Sequence, residues 1–289
     1  MTMNTVAVLG SGTMGRGIAQ VSASKGNPTR LADVDEARAK AALADIVASL
    51  EKLVQKGKIT DEARKSTLAN LTVAPTARTA CEGVDVIVEA VFEDMQVKVD
   101  LLSSVLPVAA GHAVVASNTS SLSITELGAR LGIQDRTVGV HFFNPVPVME
   151  LVEVVRGYGT SEKTLDFAVS FAKDLGKTPI VVNDVPGFAT SRLGVILGAE
   201  AMRMLEQGVA SAADIDRGME LGYRHPMGPL KLTDLVGLDV RLAILEHLTR
   251  EIGDQFRPPA LLRKMVRAGK LGKKTGEGFY KWENGQPKL

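Results

Sequence analysis

The sequence predicts an α/β fold built on a doubly wound, mainly parallel sheet, followed by an all-α C-terminal domain. Three observations carry this. Short β-rich apolar runs alternate with helical periodicity from Thr5 to Val140, the pattern of strands joined by crossover helices. A glycine motif, Gly10-Ser11-Gly12-Thr13-Met14-Gly15, stands between the first run and the first helix. After Asn183-Asp184-Val185-Pro186-Gly187 the composition changes and the periodicity turns helical. A chain of 289 residues exceeds a typical single core, so two domains are expected, 1–185 and 186–289.

Composition excludes several classes. A net charge of +1 supplies no field that would favour nucleic acid or a membrane surface. No run approaches the roughly 18 apolar residues of a membrane span, and Met1 to Gly10 lacks the pattern of a signal peptide. The lone Cys81 excludes an internal disulfide and fits a reducing compartment, so a soluble, cytoplasmic protein is expected. One cysteine and four scattered histidines make no metal constellation.

Taken in order, Thr5 to Leu9 reads as a strand and the glycine motif opens a helix to about Lys25. Gly10 permits the tight turn, Gly12 lets a pyrophosphate approach the backbone, and Gly15 allows close helix–strand packing. Thr13 and Met14 complete this phosphate-facing turn. The next strand, Thr29 to Val34, carries Asp33 about twenty residues past the glycines, where an acid reads a ribose 2′-hydroxyl and repels a 2′-phosphate. NAD is therefore expected over NADP, with Arg30 the one residue that softens the choice. Pro28 predicts a short or edge strand, and Asp35 reads as a helix cap.

A long amphipathic helix, Glu36 to Lys56, follows, with Ala41, Ile46, Val47, Leu50, Leu53 and Val54 assigned to one face. Its basic end is either a solvated face or a phosphate contact. Thr60 opens a short helix and Leu71 to Ala74 a third strand. Val84 to Val91 is nearly continuously apolar, as in a strand buried on both faces, and Glu93 follows at its C-terminal end, where open α/β sheets bind ligands. Met95 to Val105 is helical and Ala113 to Ala116 another strand. It ends in Ser117-Asn118-Thr119-Ser120-Ser121, with Ser123 or Thr125 as a cap.

Thr137 to Arg156, TVGVHFFNPVPVMELVEVVR, is the most informative stretch. His141 ends one apolar run and Glu153 lies inside a second. A lone buried carboxylate is costly, so Glu153 needs a partner, and His141 is the expected one. Beyond Val185, helices are expected at Phe188–Gln207, Ser211–Leu221, Leu230–Arg250 and Pro259–Ala268, then a Gly/Lys-rich tail.

GSGTMGRGIA, SNTSSLSIT, HFFNPVPVMELVEVV, DVPGFATSR and KKTGEGFY together resemble the 3-hydroxyacyl-CoA dehydrogenases, the bacterial 3-hydroxybutyryl-CoA dehydrogenases among them, over essentially the whole chain. The resemblance implies a Rossmann-like NAD-binding domain, a helical domain that dimerises, and an acyl-CoA substrate. It implies His141 as catalytic acid/base, Glu153 as its orienting partner, and Ser120 on the substrate hydroxyl. Asn118 would line the cofactor cleft. Glu93 and Lys98 would lie near the nicotinamide, their alternative being surface charges. Ser49 and Lys56 would contact CoA. The family's active-site asparagine after P-G-F is matched here by Ser191, which is shorter and lacks an amide's second donor, and Asn144 is the residue placed to contribute instead. The mechanism implied is hydride transfer between C3 of the acyl chain and NAD, with His141 moving the proton. Two alternatives stand beside it: a dehydrogenase of a free hydroxy or sugar acid, and a non-catalytic NAD-binding protein. The helix from Phe188 to Glu206 contains no lysine, against the first; the presence of both His141 and Glu153 is against the second.

Overall fold

The structure, a computed structural model, describes residues 3–288. The chain divides into two compact units, Met1–Phe188 and Ala189–Leu289.

In the first unit the chain runs β1 (Val6–Leu9), α1 (Thr13–Ser24), β2 (Thr29–Ala32), α2 (Glu36–Gln55), α3 (Asp61–Ala69), β3 (Leu71–Val73), α4 (Ala77–Cys81), β4 (Val86–Glu89), α5 (Met95–Val105), β5 (Val114–Ser117), α6 (Ile124–Leu131), β6 (Thr137–Phe142), β7 (Leu151–Arg156), α7 (Glu162–Asp174) and β8 (Thr178–Asn183). One eight-stranded sheet has the order β3-β2-β1-β4-β5-β6-β7-β8. Every neighbouring pair is parallel except β6 and β7. Chain order reverses between β1 and β4, which opens the crevice where such sheets take their ligands. β1, β4 and β5 are buried along their whole length, and apolar clusters form on each side of the sheet.

β2 is short, as Pro28 implied, but it is not an edge strand: it pairs with β1 and β3. Proline lacks a donor but keeps its carbonyl, and Pro28 uses that carbonyl to accept from the Val6 N–H at 2.9 Å. α2 buries Ala39, Ala42, Ile46 and Leu50, while Ala41, which the sequence had placed on that face, is exposed. The five-residue α4, set by a Thr76–Thr79 capping box, is too short to leave a periodic signal.

The second unit contains α8 (Thr190–Glu206), α9 (Ala212–Gly222), α10 (Pro229–Val236), α11 (Leu238–Glu251), α12 (Ala260–Arg267), β9 (Lys281–Glu283) and β10 (Gln286–Lys288). One expectation is corrected. The helix expected over Leu230–Arg250 is two helices, because Gly237 takes a φ of +104° and ends α10. The Gly/Lys-rich tail is followed by β9 and β10, an antiparallel hairpin turned by Asn284 and Gly285, both at positive φ. Two buried carboxylates anchor the segment before it. Asp234 accepts from the Phe279 and Tyr280 amides and the Trp282 indole, each at 2.9 Å. Asp216 accepts from the Leu230 and Lys231 amides and the Tyr280 hydroxyl. The apolar runs of this unit serve two purposes: Val195, Leu230 and Leu238 fill the core, whereas Leu193, Leu197, Leu232 and Val240 remain exposed.

Candidate cofactor and acid–base site

The glycine loop follows β1 at the crevice. Gly10 has φ +96°, and a Cβ there would lie 2.5 Å from the Ala90 carbonyl. A Cβ on Gly15 would meet the Gly10 carbonyl at 1.8 Å, so α1 sits directly on the loop. Gly12 is different, with nothing within 4 Å of its Cβ position. Two glycines are therefore required for close packing, and the third leaves an open approach beside the N-terminus of α1, a setting that favours an anion.

Asp33, just past β2, is tied to this loop. Its Oδ2 accepts from the Ser11 amide and hydroxyl, both at 2.6 Å, and its Oδ1 accepts from the Val34 amide at 2.8 Å. Burial alone raises Asp33, but the Ser11 hydroxyl, the Ser11 and Val34 amides and the Arg38 charge outweigh it and hold the carboxyl below its usual range. Three acceptor positions are thus used, and a carboxylate has about four. Arg30 turns away: its guanidinium donates to the Ala80 and Glu82 carbonyls. Asp35 caps α2 by accepting from the Arg38 amide.

Across the crevice, the ends of β4 and β5 are joined by a network of charges and hydroxyls. Lys98 on α5 is not a surface charge; it is 1% exposed. Its Nζ donates to Glu89 Oε1 at 2.7 Å and pairs with Glu93 Oε2 at 3.2 Å. Glu89 also accepts from the Ser117 hydroxyl and the Val91 amide. Glu93 Oε1 gathers the loop after β5, accepting from the Thr119 and Ser121 hydroxyls and from the Ser120 amide at 2.9 Å, with the Ser120 hydroxyl at 3.4 Å. Asn118 Oδ1 accepts from the Phe142 amide at 2.9 Å, which locks this loop to β6.

β6 and β7 are antiparallel and their register sets His141 directly opposite Glu153. Side chains opposite one another on the same face of such a pair meet, and His141 Nδ1 lies 2.7 Å from Glu153 Oε2. Glu153 is fully buried and His141 is 8% exposed. An ionised carboxylate only accepts, so Nδ1 carries the proton and Nε2 is left with its lone pair. The Phe143 and Phe188 rings flank the imidazole, with centroids at 4.7 and 6.0 Å. Phe188 holds a φ of +46°, an uncommon conformation for a bulky residue, and is buried against Ile124, Val155 and Val182.

A separate cleft of about 470 Å³ lies between α1, α2 and the loop after β6. Ser49, Thr13 and Asn144 line it, together with Lys52. Lys56 is the exposed C-cap of α2 and is not part of the lining. Met14 is half-buried at the start of α1, packed on the core. Ser191 belongs to the first turn of α8 in the helical unit. Among the described residues no group of three or more His, Cys, Asp or Glu is placed to hold a metal, and no helix is long and apolar enough to cross a membrane.

Comparison with known proteins agrees over the whole length. Residues 5–185 match the family model for the NAD binding domain of 3-hydroxyacyl-CoA dehydrogenase, and residues 187–282 match that for its C-terminal domain. The chain belongs to the 3-hydroxyacyl-CoA dehydrogenase family. It is 43% identical over 284 residues to a probable 3-hydroxybutyryl-CoA dehydrogenase of Bacillus subtilis, covering 98% of this chain and 99% of that one. It is 44% identical to the mitochondrial hydroxyacyl-coenzyme A dehydrogenase of Sus scrofa, covering 96% and 91%. The crystal structure of (S)-3-hydroxybutyryl-CoA dehydrogenase from Ralstonia eutropha superposes with a TM-score of 0.94 at 41% identity, covering 98% of this chain and 100% of that one.

For a member of the 3-hydroxyacyl-CoA dehydrogenase family, the residues that sequence reasoning passed over are as telling as those it named. Glu89, the main counter-charge of Lys98, lay hidden inside an apolar run; its signal was the same as that of Glu153, a carboxylate with no apolar reason to be there. Phe188 could be suspected only from its place after Pro186-Gly187. Lys52 belongs to the basic end of α2, which the sequence leaves open between a solvated face and a phosphate contact, and it lines the cleft.

The charge network predicts a pH dependence. Burial raises Glu93, but the Lys98 charge and the Thr119 and Ser120 donors outweigh it and hold the carboxyl below its ordinary value of 4.5. A depressed carboxylate contributes stability that is fully present above the unfolded pKa and is lost as pH falls through the folded one. The stability gap between wild type and Glu93→Gln should therefore be largest near neutrality and shrink below about pH 4.5. Urea denaturation at several pH values measures it, and a gap that stays constant with pH refutes the assignment.

Proposed function

We propose that this dehydrogenase uses NAD(H) to interconvert (S)-3-hydroxyacyl-CoA and 3-oxoacyl-CoA, with short acyl chains such as 3-hydroxybutyryl-CoA as substrates. The observation that carries the reading is the His141–Glu153 pair, a buried imidazole whose Nδ1 is held at 2.7 Å by a fully buried carboxylate.

The glycine loop and Asp33 suit a dinucleotide: an open approach at Gly12, a helix N-terminus behind it, and an acid with acceptor capacity left. Bound NAD supplies the acceptor for hydride from C3. The chain's own groups do the rest. In the oxidation direction His141 Nε2 takes the proton of the C3 hydroxyl as general base, and imidazole suits this because it titrates near neutrality. Glu153 keeps the ring in the Nδ1–H tautomer and stabilises the imidazolium that forms. Ser120, held by Glu93, orients the hydroxyl, and its donor strengthens as oxyanion character develops. In reduction His141 is the acid. Glu93 and Lys98 attend the nicotinamide end, with Asn118 beside them. Ser49 and Asn144, in the 470 Å³ cleft, receive the CoA portion, with Lys52 and Lys56 as its cations. Ser191 replaces an amide near the acyl group. In this scheme 1–185 is the NAD-binding domain and 186–289 the substrate and dimerisation domain, with a second copy covering exposed apolar residues such as Leu197 and Val240.

The test is NADH absorbance with acetoacetyl-CoA. Oxidation of NADH supports the reading, and its absence at any workable pH favours a free hydroxy acid as substrate. Asp33→Ala should raise KM for NADH about 10-fold or more, the loss expected for a hydrogen bond to a charged group, and narrow the preference over NADPH. An unchanged cofactor preference removes Asp33 from the ribose.

A further inference from the structure

Asp33 has one acceptor position left, and its place is defined. Oδ2 already accepts twice from Ser11, while Oδ1 accepts once, from the Val34 amide. A carboxylate oxygen has about two lone pairs, so the open position is on Oδ1. In the reading above, a ribose 2′-hydroxyl donates there.

Arg38 stands at that same atom. It lies in the first turn of α2, and its Nη1 is 4.0 Å from Asp33 Oδ1. Its Nε is 3.7 Å from Asp35 Oδ2. Both separations exceed a hydrogen bond. The Arg38 amide is committed to the Asp35 cap, but among the described residues the guanidinium makes no hydrogen bond. The side chain is 69% exposed. An exposed ion pair at such a distance contributes little, so the arginine is easily drawn to another anion. The neighbouring cations are already engaged. Arg30 donates to the Ala80 and Glu82 carbonyls, and Lys40 pairs with Glu36.

We infer that Arg38 is a specificity-determining residue of the cofactor site: its guanidinium receives a 2′-phosphate, so that the enzyme accepts NADPH beside NADH. The inference rests on the NAD(H) reading above and extends it to a second dinucleotide. The softening expected of Arg30 falls instead to Arg38. The two residues act on the ribose in opposite senses. Asp33 accepts from a 2′-hydroxyl and repels a phosphate. The planar fork of Arg38 offers a phosphate a bidentate pair, and offers a hydroxyl already donating to Asp33 no comparable gain. Asp33 and Asp35 together outnumber this one cation, which is why NADH remains preferred.

The experiment compares NADPH with NADH on the full-length protein, by kcat/KM with acetoacetyl-CoA and by fluorescence titration of nucleotide binding. Wild type should reduce acetoacetyl-CoA with NADPH, at lower efficiency than with NADH. Arg38→Met should lower the NADPH-to-NADH ratio of kcat/KM roughly 10-fold, the scale of a hydrogen bond to a charged group. The change should fall on KM and on the titrated Kd rather than on kcat, because a 2′-phosphate is remote from the reacting carbon and is held equally in ground and transition states. Arg38→Lys, which keeps the charge and loses the fork, should lie between. The same fall should appear in the Asp33→Ala background, where NADPH is no longer repelled. A wild type inert towards NADPH overturns the inference, as does a ratio unchanged by Arg38→Met. So does an equal loss with both nucleotides, which places the arginine on a part that the two share, such as the adenine. If neither nucleotide supports reduction, the dehydrogenase reading itself fails, and the titrations decide the inference alone: NADPH affinity that falls relative to NADH in Arg38→Met supports it, and a constant ratio of affinities overturns it.

Discussion

His141→Ala is expected to lower kcat at least about 100-fold, the usual scale for lost acid–base catalysis, while NADH binding is retained. The two outcomes separate because the groups are separate. The glycine loop and Asp33 belong to the β1 and β2 ends of the sheet, whereas His141 lies on β6. The effect should fall on kcat rather than KM, since proton transfer matters in the transition state and little in binding. Glu153→Gln is the sharper companion. An amide can offer its own N–H to Nδ1, which places the ring proton on Nε2 and removes the base while the shape is nearly kept. Its expected loss is of similar order. Steady-state kinetics with acetoacetyl-CoA, paired with NADH fluorescence titration, measure both. Turnover that survives in His141→Ala would falsify the acid–base assignment.

Lys98→Met is expected to destabilise the chain by about 3–5 kcal/mol, the range for breaking a buried ion pair from one side. Lys98 and Glu89 are 1% and 0% exposed, so removing the ammonium leaves a buried carboxylate whose remaining donors, among the described residues, are the Ser117 hydroxyl and the Val91 amide. Glu93, which is partly exposed, loses its cation as well. The mechanism makes a second prediction. Adding Glu89→Gln to Lys98→Met should recover much of the loss, because the uncompensated charge is gone while an acceptor remains for Ser117. Urea denaturation of the two single variants and the double gives the coupling. Strictly additive losses would mean that the lysine acts through packing of its alkyl stem and not through charge.

Much of this molecule was legible along the chain. Met95–Val105 forms the expected helix residue for residue, and Ser123 and Asp35 are the caps their sequence neighbourhoods suggested. These features depend on neighbours within a turn or two, where sequence carries the information. The pairing of His141 with Glu153 could be read for a related reason. Twelve residues separate them, both lie in apolar runs, and a buried carboxylate must find a partner nearby or give up its charge.

What sequence did not reveal is of another kind. Lys98 looks like any helix lysine, and its burial follows from α5 packing over the ends of β4 and β5, where Glu89, Glu93 and Ser117 arrive from other segments. Gly237 looks like an interior helix glycine until its positive φ divides α10 from α11. Pro28 left β2 either short or at an edge, and it is the pairing on both sides, with Pro28 contributing only its carbonyl, that makes it a short inner strand. The sequence by itself determined the periodicities, the glycine turn with its distant acid, and the histidine and carboxylate that required each other, since each is a local or pairwise constraint. Only the tertiary structure decided which charges are buried and how they are matched. The energy of a buried charge depends on every group that surrounds it, and those groups come from distant parts of the chain.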